Sequence, residues 1–352
     1  MAIIPIQNKY PDRAGYLGLN TDTNQLEVFS DGTYKPVGEP FSIFTENIDI
    51  TVGPGGDFTD VNEALAYIQY LQPKFRTVTM VKQQGFHDRF NLDLQINLIF
   101  KEGYTFTNTI VIENRYIPYL NITQENLDVP LQINLTNDIP VAIGLFNSHI
   151  GNVTLNVENI NDIHRCITPL HLVSSSIEEL RFEVKNVEVG IYLSHSSVIR
   201  EIRKFVSNQI YDYAIYLCYN CYAMVHASNS ITSFTDNGIT YPGNQNASAV
   251  WLTTSTLYWY HSGINPTIID QSKRAFSVSK NSTLILSGNA RFNISNIQKS
   301  VFLLNPVNGG SISVVNPITL GENVESIISP SDILVNTYNS NGTISARSTL
   351  TN

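Results

Sequence analysis

PLHLVSSSI (residues 169–177), GIYLSHSSV (190–198) and AIYLCYNCY (214–222) share one frame: a small residue, an aliphatic, any residue, then Leu. The frame returns at AIGLFNSHI (142), AVWLTTSTL (249) and AFSVSKNSTL (275), and more weakly at VFLLNPVNGGSI (301), with Leu or Val in the fourth place. The steps between these starts are 27, 21, 24, 35, 26 and 26 residues. Self-similarity at such a period marks an architecture in which each unit buries its apolar face against the next.

Within the units, Ile143 and Leu145, Leu170 and Leu172, Ile191 and Leu193, Ile215 and Leu217, Val250 and Leu252, and Phe276 and Val278 lie two residues apart. Positions so spaced share one face of a strand. Stacked unit on unit at about 4.8 Å, they form ladders of aliphatic side chains. Polar residues then turn the chain into a second alternating strand, as in VTLNV (153–157) and LRFEV (180–184), and no unit carries a period of 3.6. The pattern predicts an all-β chain, a right-handed parallel β-helix or solenoid. The 35-residue step contains SFTDNGITYPGNQN (233–246), rich in turn formers, which reads as a loop protruding from the side.

Composition agrees. Only 14% of residues are charged while 42% are hydrophobic, so the chain can fill a core yet has few residues suited to surface helices. The 30 acidic and 21 basic residues, a net charge of -9, are spread without a long run of either sign, which argues against a nucleic-acid partner. The start MAIIPIQNKYPDR lacks a signal-peptide pattern and no long apolar window follows, so neither secretion nor membrane insertion is expected. Of the three cysteines, Cys218 and Cys221 form a CxxC in apolar, aromatic surroundings, where cysteine behaves as a small buried hydrophobe.

The N-terminal part differs from the repeats. YLGLN (16–20), QLEVF (25–29) and YKPV (34–37), separated by TDTN and SDGT, read as a small β-meander. IDITVGPGGDFTDVNEALAYIQYL then runs from a strand through a Gly-rich turn into the clearest helix. Asp60 can cap it, with Glu63 completing a capping box. Val61, Ala64, Leu65, Ile68 and Leu71 make its apolar face, and Pro73 follows. A short capping helix of this kind suits the open end of a solenoid, which otherwise exposes apolar core and unpaired strand edges. No GK[ST] follows GPGG, so it is not a phosphate-binding loop.

The meander resembles a short motif common in bacteriophage fibre and appendage proteins, where it sits near an attachment end. GPGGDFTDVNEALAYI resembles the N-terminal cap of pectate-lyase-like β-helices and phage tailspikes. These resemblances imply a homotrimer, contact with other virion proteins through the N-terminal segment, and a cell-surface polysaccharide as a possible partner.

The third position of each repeat points outward and reads Gly144, His171, Tyr192, Tyr216, Trp251, Ser277 and Leu303. His171, Tyr192, Tyr216 and Trp251 therefore form an aromatic stripe. Such a stripe suits either stacking on sugar rings or cover by a neighbouring subunit. Tyr258, Trp259, Tyr260 and His261 form a second group with the same two readings. For glycan hydrolysis two carboxyl groups must flank the bond. Allowing one residue of offset, SSSIEELRFEVK and SSVIREIRKFV place Glu179 beside Glu201 and Arg181 beside Arg203. This is either a candidate catalytic pair or an exposed ion-pair ladder. Asp236 and Asp270 are further acids without an evident partner. None of the seven histidines forms HxH or HExxH and no GxSxG occurs, so no metal site or cofactor and no serine nucleophile is expected.

The expectation is a structural, receptor-binding fibre or spike of a phage virion. Residues 1–45 are the meander and attachment segment, 46–140 the capping helix and first coils, and 141–320 the β-helix. Residues 321–352 are a strand pair, an exchanged arm or a tail. A tailspike-type depolymerase on the same fold is the alternative, and a secreted lyase is disfavoured by the absent signal pattern.

Overall fold

The computed structural model describes residues 17–20, 25–30, 33–36, 42–73, 78–82, 88–92, 94–135, 140–161, 167–226, 232–239, 247–261, 266–288, 292–304 and 310–314, with short strands at 319–320, 328–329, 336–338 and 344–345. Within them the chain is all-β except for one helix, and a 23-stranded sheet holds most of it. No helix among the described residues is long and apolar enough to cross a membrane.

The meander is present as a separate antiparallel sheet of Leu17–Asn20, Gln25–Ser30 and Thr33–Pro36, with Leu17 opposite Val28 and Glu27 opposite Pro36. The helix spans Val61–Ile68 and buries Val61, Ala64 and Ile68. The Asp60 carboxylate caps it by accepting from the Asn62 backbone N–H at 2.7 Å, one residue before the Glu63 N–H that a capping box uses. Leu71 is buried, but from the strand Leu71–Pro73, which pairs in parallel with Ser42–Phe44. An antiparallel hairpin, Val78–Lys82 with Asp88–Leu92, interrupts the first units, and the repeat gave no sign of it.

From Ile48 onward, apart from that hairpin and the last strand pair, the pairing is parallel, each strand bonding to one roughly a repeat later. The first predicted ladder runs Ile110, Ile143, Leu170, Ile191, Ile215, Val250, Phe276, and the second Ile112, Leu145, Leu172, Leu193, Leu217, Leu252, Val278. All these side chains are buried. The ladders thus begin one unit earlier than the sequence frame suggested. A third interior column runs Ile50, Leu98, Ile122, Val153, Leu180, Ile202, Val225, Trp259, Leu286. Each fully buried aliphatic adds roughly 1.5–3 kcal/mol of transfer free energy, and in-register stacking pairs the inner strands with a neighbour on each side.

The turns are also in register. Asn147, Ser174, Ser196, Asn220 and Thr254 adopt positive φ at one corner, and Asn186, Gln209, Asp236, Gln271 and Asn296 at another. Short polar side chains tolerate this left-handed conformation best. Just after the first corner lies a column of serines broken by one cysteine: Ser148, Ser175, Ser197, Cys221, Ser255, Ser282. The Ser175 hydroxyl accepts from Ser148 N at 3.0 Å, Ser197 from Ser175 N at 3.2 Å, Ser255 from Cys221 N at 3.1 Å and Ser282 from Ser255 N at 3.2 Å.

One expectation is corrected. Residues 233–237 belong to the strand Thr232–Asn237, paired with Phe205–Ile210, so they are not part of a protruding loop. The rest of that segment, 240–246, lies outside the described residues. At the far end Asn336–Tyr338 and Ile344–Ser345 form an antiparallel pair, the strand-pair alternative for the tail.

Candidate functional site

The third position forms an unbroken register: Gly144 beside His171, then Tyr192, Tyr216, Trp251 and Ser277, of which the four aromatic residues are half-buried while Ser277, expected to point outward, is buried. The rings are brought together as the sequence indicated. His171 stacks on Tyr192 at 4.4 Å and 10°, and Tyr192 on Tyr216 at 4.8 Å and 4°. Trp251 turns edge-on, 6.5 Å and 72° from Tyr216. Tyr213, which the repeat frame left out, wedges beside them, 4.7 Å and 65° from Trp251. Its place directly before AIYL was the available signal.

Parallel stacking has a chemical consequence. The π-faces of His171, Tyr192 and Tyr216 cover one another, so the column offers ring edges outward instead of faces. A sugar ring stacks through its C–H face onto an open ring face, and the run from His171 to Tyr216 leaves none between its rings. Edge-on, half-buried aromatics with polar tips are what a subunit interface uses.

Burial also sets the column's charge state. The His171 imidazole is pushed down to about 4 by burial and by the nearby His195, and its Nε2 lies 3.2 Å from the Ser194 hydroxyl. It is neutral at neutral pH. Burial pushes Tyr216 up to about 12 and Tyr192 up as well, the latter accepting from the Cys218 thiol at 3.4 Å. The thiols of Cys218 and Cys221 are raised by burial, Cys221 to about 11, so neither is poised as a thiolate. Cys221 Sγ instead donates to the Cys218 carbonyl at 2.9 Å, as Ser197 Oγ does to the Ser194 carbonyl at 2.6 Å. The CxxC is a corner in which cysteine replaces serine.

The second aromatic group divides. Trp259 is fully buried, packed edge-on against Phe276 and Phe292 at 6.1 and 5.3 Å, because it shares the inward face of Leu257. It is therefore a core residue and not part of an outward patch. Tyr258 and Tyr260 are half-buried on the opposite parity, and the side chain of His261 lies outside the described residues.

Glu179 and Glu201 are in direct register. A bulge between Leu180 and Arg181 sets Arg181 opposite Lys204, so the expected Arg181–Arg203 pairing does not form. Arg203 turns back between the acids instead, its Nε 3.0 Å from Glu179 Oε2 and 3.1 Å from Glu201 Oε1. Arg181 Nε adds a contact of 2.9 Å to Glu179. His226, one unit on and missed in the sequence, places Nδ1 2.6 Å from Glu201 Oε1. Glu201 is only 4% exposed and the network compensates its charge. Asp270 is also partnered, accepting from Ser295 Oγ and Asn296 Nδ2 at 2.7 Å each.

The two acids continue a longer polar column: Asp49, Asn97, Asn121, Asn152, Glu179, Glu201. Its amides bond strand to strand, Asn97 Nδ2 to Asp49 at 2.7 Å, Asn121 Nδ2 to Asn97 at 2.9 Å and Asn152 Nδ2 to Asn121 at 3.0 Å.

Comparison of the chain with protein-family models, curated proteins and solved structures gives no match in any of the three.

Proposed function

We propose that this chain is a right-handed parallel β-helix that serves as a rigid structural and receptor-binding fibre or spike of a bacteriophage virion. Three copies pack side by side and adhere to host surface glycans, and the N-terminal meander contacts other virion proteins. What supports the winding is the uniform parallel pairing of each strand with the next repeat. Parallel crossovers are right-handed in nearly all proteins. What carries the association is the aromatic column: its rings stack on each other, sit half-buried and present edges suited to an interface.

The test is the molar mass of the full-length chain by light scattering, with Tyr216→Ala beside it. Three chains per particle, falling to one in the variant, supports the reading; a monomeric parent overturns the trimeric shaft.

Glycan cleavage is the second reading. Because both acids contact the same Arg203 nitrogen, their nearest oxygens lie within about 6 Å of each other, a bound that admits the separation of about 5–5.5 Å retaining glycosidases use and is too short for the inverting one. The same guanidinium stands where a sugar would have to enter, which weighs against it. Polysaccharide cleavage by the parent that disappears in Glu179→Gln and Glu201→Gln would establish this reading instead.

A further inference from the structure

At the capped end of the sheet lies a hollow of about 210 Å³ that neither the aromatic column nor the carboxylate cluster uses. One wall is Thr59, Asp60 and Asn62, where the chain enters the helix; the other is Tyr104, Thr107 and Asn108, at the bend before the strand Ile110–Glu113. Local structure explains why these walls face each other. Gly53 N donates to Phe58 O at 2.9 Å and Phe58 N to Thr51 O at 3.0 Å, closing the Gly-rich turn. The Tyr104 ring lies over Gly53, where a Cβ would come within 3.2 Å of it, and the +119° φ of Gly53 favours glycine independently. Phe100 and Phe106 hold that ring from behind at 4.7 and 5.2 Å.

Apart from Val61 the lining is polar or aromatic. Thr59, Asp60, Asn62, Thr107 and Asn108 are exposed and Tyr104 is half-buried, so hydroxyl, amide and carboxylate groups converge with one aromatic edge. Burial and the charge of Asp60 raise the Tyr104 phenol to about 12, which keeps it a donor. No Lys or Arg lines the hollow and one carboxylate does, so an anion is disfavoured. A divalent cation would want several oxygens of a preformed, charged cage. A ligand that donates and accepts in every direction without charge fits best. The volume lies below the roughly 300–1,000 Å³ of pockets for drug-sized ligands, which sets the occupant at a single ring.

We propose that this hollow is a monosaccharide site taking one neutral pyranose unit of a glycan. The site rests on the glycan-adhesion reading above and gives it a receptor contact distinct from the aromatic column.

The experiment is saturation-transfer NMR on the full-length chain with methyl glucoside, methyl galactoside and N-acetylglucosamine as probes. Ring-proton transfer from at least one probe is expected. It should weaken about tenfold, or roughly 1.4 kcal/mol, in Tyr104→Phe combined with Asn108→Ala. Asp60→Asn, which keeps a helix-capping side chain, should weaken it too, and Ile268→Thr, at an exposed position remote from the hollow, should leave it unchanged. Unchanged melting of each variant excludes unfolding as the cause. Transfer that survives both hollow variants overturns the proposal while leaving glycan adhesion standing. Absence of transfer in a chain that still binds host polysaccharide does the same. A chain that binds neither probe nor polysaccharide sinks both.

Discussion

Two columns run outward along the same stack and solve the same geometric problem differently. In the aromatic column, His171, Tyr192 and Tyr216 repeat one shape at ring separations of 4.4 and 4.8 Å, and likeness is itself favourable. In the polar column, Asn97, Asn121 and Asn152 also gain from likeness, since an amide both donates and accepts. At Glu179 and Glu201 likeness becomes a liability, because carboxylates only accept and repel each other. Arg203, Arg181 and His226 are drawn in to compensate. Stacking in register thus rewards identical neutral neighbours and demands partners for identical charged ones.

The comparison breaks most visibly at Arg203. Arg203→Met strips Glu201 of a partner while leaving it buried beside Glu179, and the expected loss is roughly 3–5 kcal/mol by chemical denaturation. A loss under about 1 kcal/mol would mean that the cluster is solvated like a surface pair.

Tyr192→Ala removes the middle ring and both of its stacking contacts, for an expected cost of about 2 kcal/mol. The matching change in the polar column is Asn121→Asp, which replaces an amide donor facing Asn97 and Gln95 by a second acceptor. It should cost about 1–3 kcal/mol above neutral pH and less once the new carboxyl is protonated. Equal losses at both pH values would show that the amide ladder contributes little.

Acid should distinguish the columns as well. His171 has a folded pKa of about 4 against an ordinary 6.5, so the unfolded chain binds its proton first. Stability contributed by the neutral ring is fully present above about pH 6.5 and declines as pH falls toward 4. His171→Tyr, which continues the Tyr column, should flatten that slope without abolishing it. Burial lowers His149 in the same direction. Melting temperatures between pH 7 and pH 4 check this, and an unchanged slope would remove His171 from the account.

The smallest expected effect is at Cys221. Cys221→Ser completes the serine column and should shift stability by less than about 1 kcal/mol, while an alkylating reagent should leave Cys218 and Cys221 of the folded parent unmodified. Rapid labelling of Cys218 or Cys221 in the native chain, located by peptide mapping, would contradict the reading of the CxxC as a corner.

By itself the sequence determined the all-β character, the helix capped by Asp60, the meander, the aliphatic ladders, and the membership of His171, Tyr192, Tyr216 and Trp251 in one outward column. These follow from a strand period of two and a repeat of about 26 residues, both properties of spacing along the chain. It also carried further signals: the Leu257–Trp259 parity, the serine after each corner, and Tyr213 directly before AIYL. Tertiary structure alone decided the rest. A one-residue bulge after Leu180 sends Arg203 between the two acids, the tilt of each ring decides whether a face or an edge is offered, and the fold of the Gly-rich turn brings Asp60 and Tyr104 to one hollow. Side-chain direction at bulges and turns depends on backbone torsions and on partners far away in sequence, and no periodicity records those.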